Sequence, residues 1–593
     1  MNFQIRKAYL LTALLLLTAL LFGACATPAA TPAAPAAEAP AAVEAPAAVE
    51  APAVVEAPAA EKLIIFGLSQ EPELLNPLIQ TQTAAYDVGE FIIEGLLSVD
   101  PSGSFIPSLA KEVPTTANGQ VSADGMQVTY HLIEGVLWSD GAPFTCDDVV
   151  FTWEVAVSPD SGAVNTTGYD KIASVECSDE LTVVVTYSEF YAPFLTLFDA
   201  IMPRHATGEL AAMQEWDYNR NPIGTGPFLI QEWVTGDQII LVKNPNYRDY
   251  PEKPYLDKIV VRLIASVEVG KALLTSGEID FLWNLLEADV PEFENNPNVN
   301  VNATSGAGTE RLVLNLGDPA IDATDDPINN PHPILGDLRV RQAIQYGIDK
   351  QFIVDELLYG ATTVGVSELS LGWAKCDIAP SEYNPEKAMA LLDEAGFTDQ
   401  DGDGVRECHD CLYAEEGTPM RMKYQTTSGN QLREESQQLV AEMMAEIGVD
   451  LFIENVPSAE LFGSWSSGAF RKHGQYDVIM YTTSDGVDPQ SQMDGYFSSN
   501  KIPVEANGGN GFNYSRWINA TADAAIVEAG ANPDSAARKA AYQIACEQID
   551  AELPHIYLYD RAEIHMSRTR LVGYEVNAWN SQGWNAAEWD VTD

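Results

Sequence analysis

The sequence predicts a mixed α/β body of several lobes. Three observations carry that expectation. From Lys62 onward, short alternating strands and amphipathic helices intermix without an internal repeat. The 593 residues, 46% apolar and 9% aromatic, are enough for two to four domains with ample core. The first residues read as an export signal rather than as part of a fold.

Taken in chain order, Arg6 and Lys7 form a positive start ahead of "AYLLTALLLLTALLFGA". That run is short for a membrane span and no charged stop follows it, so residues 1–24 are expected to be a signal peptide. Gly23-Ala24-Cys25 resembles the bacterial lipobox, in which the cysteine is acylated and becomes the first residue; Phe22 stands where that motif usually has Leu. The alternative is a plain secretory signal that leaves Cys25 free. Residues 25–61 are almost wholly Ala, Pro, Val and Glu, with Glu38, Glu44, Glu50 and Glu56 spaced by six. Proline at this density favours extended backbone and spaced carboxylates repel, so the segment is a tether reaching roughly 100 Å at ~3 Å per residue. The protein is therefore expected on the outer face of the cytoplasmic membrane, lipid-anchored.

In the body, "MQVTYHL" alternates, with Val128, Tyr130 and Leu132 on one face. Residues 181–187 and 238–244 read as strands in the same way. In "NPEKAMALLDEAGF", Asn384 is placed to cap, Pro385 suits the first turn, Leu391, Leu392 and Ala395 share a face, and Gly396 closes the end. "EESQQLVAEMMAEIGV" sets Leu439, Val440, Met443, Met444 and Ile447 on one stripe, a core face rather than a soft-metal site. After Cys25 six cysteines remain, an even number that favours disulfides outside the cytoplasm. Cys146 with Cys177 is the first expected pair because both lie in one short region.

A formal charge of −54, from 32 basic and 86 acidic side chains, excludes a nucleic-acid partner, since a phosphate backbone would be repelled. Catalytic motifs are missing: there is no G-x-S-x-G, no H-E-x-x-H and no G-x-x-x-x-G-K-[ST]. "GTGPF" (224–228) has no lysine to meet a phosphate and reads as a tight turn into a strand. His555 and His565 flank a probable strand and read as structural.

Five segments, in order, carry a resemblance: "EFIIEGLLSVDPSGSFIPSLAKE" (90–112), "VTYHLIEGVLWSDGAPFTCDDVVFTWE" (128–154), "NPIGTGPFLIQEWVTGDQIILVKNPNY" (221–247), "LLTSGEIDF" (273–281) and "DLRVRQAIQYGIDKQFIVDELLYG" (337–360). Together they resemble the family 5 (oligopeptide/dipeptide-type) solute-binding proteins of ABC importers. The resemblance implies a two-lobed periplasmic-binding-protein-like fold, type II with an extra inserted domain, and a hinge between lobes. Lobe one would comprise 62–106, 216–315 and 551–593, the extra subdomain 107–215, and lobe two 316–550. It implies a monomer that captures a peptide in the inter-lobe cleft and delivers it to a membrane permease, with no enzymatic activity and no cofactor. The rival readings are an oligosaccharide receptor of the same family and a secreted hydrolase.

By the same resemblance, Asp485 in "SDGVDP" would pair with a peptide's α-amino group, a charge-assisted bond that selects a free N-terminus. Tyr481, Thr482 and Thr483 stand where the family usually has Gly-Trp, which leaves peptide and sugar both open. Trp373 follows the "RVRQA" helices where family members line the cleft; Trp465 and Tyr86 are further candidates, with ordinary packing as the alternative for each. "DQDGDGVRECHDC" (399–411) holds four aspartates, two cysteines, a glutamate and a histidine in thirteen positions. Asp399, Asp401, Asp403 and Asp410 fall at positions 1, 3, 5 and 12 of a calcium loop, against which stands a simple hairpin turn. Cys408-x-x-Cys411 lacks a second ligand pair for zinc, so a local disulfide is expected. Either way the stretch is decoration on the second lobe.

Overall fold

The computed structural model describes residues 61–592 except Asn284 and Asp485. The signal segment, Cys25 and the tether lie outside the described residues. The frame is a ten-stranded mixed sheet whose spatial order is Asp450–Ile453, Arg421–Gln425, Val478–Ser484, Val299–Leu314, His555–Arg568, Phe281–Leu282, Leu63–Leu68, Lys258–Leu263, Gln238–Lys243 and Phe228–Val234. Two long antiparallel strands, Val299–Leu314 and His555–Arg568, form its middle. Gly308–Leu314 of the first pairs with Val478–Ser484, and Met566 and Ser567 of the second pair with Phe281–Leu282, so the two halves of the sheet meet only through these strands. Their register shifts between Ser305 and Thr309, where Gly306 and Gly308 lie. An irregularity at that point bends the pair and gives the lobes their joint.

Each side has its own apolar core. One gathers Ile64, Phe66, Phe91, Phe228 and Trp589; another gathers Leu312, Val340, Leu392, Val440 and Met480. A third core, around Val128, Tyr130, Trp138, Val149 and Val185, belongs to a separate three-stranded sheet of Gln127–His131, Ile172–Asp179 and Thr182–Tyr187. The expected strand at 126–132 and its inward face are thus observed, as are strands at 182–187 and 238–243. Helix Pro385–Glu394 starts on Asn384, whose side chain accepts from the Lys387 N–H, and buries Ala388 and Leu392. Helix Gln431–Glu446 buries Val440 and Met444 and half-buries Leu439 and Met443.

Several of the quoted motifs are structural. The Asp148 carboxylate, in helix Cys146–Val157, accepts from the Trp138 indole and from the N–H groups of Thr145 and Arg204, tying turn, helix and loop together. Arg341 of "RVRQA" is buried and donates to the carbonyls of Leu335, Gly336 and Glu552. In "GTGPF" the Gly226 N–H donates to the Ile92 carbonyl at 2.9 Å. A Cβ on Gly224 would sit 1.8 Å from that same carbonyl oxygen. Because backbone cannot step aside as a side chain can, Gly224→Ala is expected to cost at least about 1–3 kcal/mol, read as a shifted urea midpoint.

Disulfides join Cys146 to Cys177, Cys376 to Cys546, and Cys408 to Cys411. The second ties the segment after Trp373 to helix Ser535–Glu552, 170 residues away. Among the described residues no helix is long and apolar enough to cross a membrane.

Candidate functional site

Between the first core, the small sheet's domain and the loop at Val487 lies a cavity of about 1040 Å³. Helix Thr83–Gly89 forms one wall. It buries Ala84 and Val88 behind it and has Ala85, Tyr86 and Asp87 on the cavity side, with Glu90 at its C-terminal cap. The segment around Asp199 and the C-terminal loop 575–588 form others. Three tryptophans, Trp283, Trp579 and Trp584, contribute aromatic area. A concave, aromatic-lined cavity with a few polar groups is the usual form of a small-solute site.

Amides and hydroxyls such as Asn165, Asn577 and Gln582 line the cavity, but its charged groups are nearly all acidic, with Arg248 the one arginine or lysine among them. Asp87 is 1% exposed, and neither carboxylate oxygen completes a well-formed hydrogen bond, although the Gln582 backbone and the Ser581 hydroxyl approach it. Burial pushes it up to about 7; the nearest donors, the Gln582 backbone and the Ser581 hydroxyl, offset this only in part. Glu90 is pushed up to about 8, by burial first and then by repulsion from Asp199, Glu94 and Asp87. Asp199 rises to about 6 through burial. Its side chain does touch open space, but that space is the protein-walled cavity rather than bulk solvent, so desolvation still governs it. Glu94 differs, because Arg248 grips both of its oxygens at 2.7 Å. No arginine or lysine does the same for Asp87, Glu90 or Asp199 among the described residues.

Of the residues expected to bind solute, Tyr86 lines this cavity. Asp485 lies outside the described residues. The Trp373 indole donates to the Val487 carbonyl at 2.8 Å, which places this tryptophan behind the loop rather than in the cavity wall. Asp488 is held bidentately by Arg538 at 2.6 and 2.7 Å, and Arg538 also donates to the Ala192 carbonyl. Beneath the loop, fully buried Arg311 pairs with Glu368 and donates to Thr483. Trp465 is elsewhere: its ring stacks on His473 with centroids 4.1 Å apart, and it is not part of the wall. His555 and His565 both lie buried within strand His555–Arg568, as structural histidines do.

The 399–411 stretch is a β-hairpin, Phe397–Thr398 pairing with Glu407–Cys408. Its converging carboxylates, within 4.8 Å of one another, are Asp399, Asp401, Asp403 and Glu407. Asp410, expected as the fourth, is not among them: it takes a left-handed backbone (φ 67°) and its N–H donates to Glu416. Asp399, Asp401 and Asp403 each accept loop N–H groups, which accounts for the turn by itself.

Sequence reasoning missed Asp87, Glu90, Asp199 and the three cavity tryptophans. The first two had a usable signal, since residues three apart beside Tyr86 share a helix face.

The two lobes, the strands joining them and the aromatic-lined, partly open cavity have the form of a solute-binding protein. The chain belongs to the bacterial extracellular solute-binding proteins, family 5, whose model matches residues 104–503. It is 28% identical over 507 residues to the oligopeptide-binding protein AppA of Bacillus subtilis, covering 84% of this chain and 86% of AppA. It is 26% identical over 444 residues to the nickel-binding periplasmic protein of Escherichia coli, covering 73% and 77%. The structure of Bacillus subtilis AppA in complex with a nonapeptide aligns with a TM-score of 0.59 at 25% identity, over 90% of this chain and all of that one. HbpA2 from Haemophilus parasuis shares the fold, with a TM-score of 0.72 at 21% identity over 90% of this chain and 100% of its own.

Proposed function

We propose that the protein captures a peptide in the cavity between its lobes and presents it to an ABC permease. The observation that carries this reading is the partly open cavity of about 1040 Å³ with Tyr86 and three tryptophans in its wall, reached from the second lobe through Val487. The AppA relationship favours peptide as the first substrate class. The nickel-binding relative and the tryptophans keep other solutes in view, and an oligosaccharide stacked on those rings is the second reading. The lobes proposed are 62–106, 216–315 and 551–593 against 316–550, turning about the irregularity near Ser305, with 107–215 as the inserted subdomain. Binding without turnover is the expected chemistry. Native mass spectrometry of protein purified from Lys62 onward should show a stoichiometric solute, recovered chemically unchanged. Protein that stays empty against peptide and sugar pools would sink the receptor reading.

The anchor belongs to the same proposal. An acyl chain on Cys25 and the proline-rich tether would hold a monomeric receptor within reach of its permease. Cys25→Ser is expected to move the protein from the membrane fraction to the soluble extracytoplasmic fraction. Unchanged fractionation would mean that the leader itself, uncleaved, or another contact holds it.

A further inference from the structure

We infer that the solute is an organic cation, presenting ammonium or guanidinium groups to Asp87, Glu90 and Asp199. This rests on the receptor reading and deepens it. Carboxylates are common in a chain this acidic, so the cluster alone means little. Asp87 is the independent sign. It is 1% exposed, it belongs to the cavity wall, and neither oxygen completes a well-formed hydrogen bond, with only the Gln582 backbone and the Ser581 hydroxyl near it. A buried polar group without a partner is costly, and proteins keep very few of them without reason. The two donors nearby leave it short of full pairing, and the cavity is the side from which a solute would complete it.

The surroundings specify its sign. Glu90 and Asp199 share the wall and repel one another, while Arg248 is already committed to Glu94. An anionic solute would oppose ionisation of these carboxyl groups and a neutral one would do nothing to favour it, whereas a cation displaces their protons and pairs with the carboxylates. A bare metal ion fits poorly. Among the described residues, the sole group of three or more candidate ligands converging within 4.8 Å is the distant hairpin at Asp399, Asp401, Asp403 and Glu407. The cavity carboxylates are therefore spread too far to chelate one ion and suit a solute with its positive charge distributed along a chain. The walls of Tyr86, Trp283 and Trp579 would take the alkyl stems of such a solute and, through their faces, part of its charge. Lysine- or arginine-containing peptides and aliphatic polyamines share this chemistry.

The test uses purified full-length protein, freed of solute, and calorimetric titration with four probes: the pentapeptides AKKAA, AQQAA and AEEAA, and spermidine. The expected result is tightest binding of AKKAA, with AQQAA at least tenfold weaker and AEEAA weakest. Spermidine binding alone would keep the cation inference and overturn the peptide reading. AQQAA or AEEAA equal to or tighter than AKKAA, with spermidine silent, would overturn the inference while leaving a peptide receptor. Silence from all four probes would overturn both. Glu90→Gln and Asp199→Asn should each reduce the AKKAA preference by about tenfold, the scale of one charge-assisted hydrogen bond. Being in contact with cavity space, these two sites tolerate the isosteric change if Asp87→Asn does not fold.

Discussion

Asp87→Asn is expected to raise the melting temperature of the empty protein by a few degrees while weakening its hold on a cationic solute by at least tenfold. Asparagine keeps the shape and removes the charge. In the empty cavity that charge is desolvated and repelled by Glu563, with Glu90, Glu94, Asp199 and His565 on the same walls and Arg248 held by Glu94. The pH dependence follows from the direction of the shifts. Asp87, Glu90 and Asp199 hold protons more tightly folded, at about 7, 8 and 6, than unfolded, near the usual ~4 of a carboxylate. The folded state therefore binds more protons than the unfolded one between about pH 4 and 8. Stability from these groups is fully present below about pH 4 and is lost as pH rises through the folded values. For fully buried Asp87 the contribution is at most on the order of 4 kcal/mol. Thermal melts of empty protein at pH 5 and pH 8 should differ in that direction, and Asp87→Asn should narrow the gap. A cationic solute should reverse the trend, stabilising more at pH 8 than at pH 5, and should release protons when bound near neutrality. A flat pH profile in both wild type and variant would show that Asp87 is already fully paired.

How much of this was legible in the sequence depends on whether a residue's role is local. The strand at Gln127–His131, the cap at Asn384 and the stripe through Val440 and Met444 follow from spacing of two or from helical spacing, and they were readable. Cys146 and Cys177 lie 31 residues apart within one small domain, and their pairing was readable for that reason. The cavity was not. Tyr86 and Asp199 are brought to the same walls as Trp579 by long-range packing, and nothing in their neighbours marks them. An acidic chain also hides functional carboxylates among solvated ones, since Asp87 differs from the rest only by what fails to surround it. Trp373 shows a different dependence on context: its indole donates to the Val487 carbonyl, a partner 114 residues away that its own neighbours do not announce.

Arg538→Met should be the most damaging substitution outside the cavity itself. The Arg538 and Asp488 side chains are 5% and 6% exposed, and their two hydrogen bonds of 2.6 and 2.7 Å leave Asp488 well satisfied. Removing the arginine strands a buried carboxylate, which typically costs about 3–5 kcal/mol. The pair itself need not stabilise much relative to an apolar substitute, so Asp488→Asn combined with Arg538→Met should recover a large part of that loss. Arg538 has a second task that the double variant cannot restore. Its guanidinium donates to the Ala192 carbonyl, 346 residues away in the chain, while its partner Asp488 follows directly on Val487, whose carbonyl Trp373 holds. One side chain thus links the segment at Val487 and Asp488, which reaches the cavity wall, to the backbone at Ala192. Stopped-flow release of a bound cationic peptide should be about tenfold faster in the single variant, as expected when one charge-assisted bond is lost. It should stay fast in the double variant even as the urea midpoint recovers. Recovery of both together would reduce Arg538 to a packing role, whereas recovery of stability alone separates the ion pair that holds the loop from the contact at Ala192.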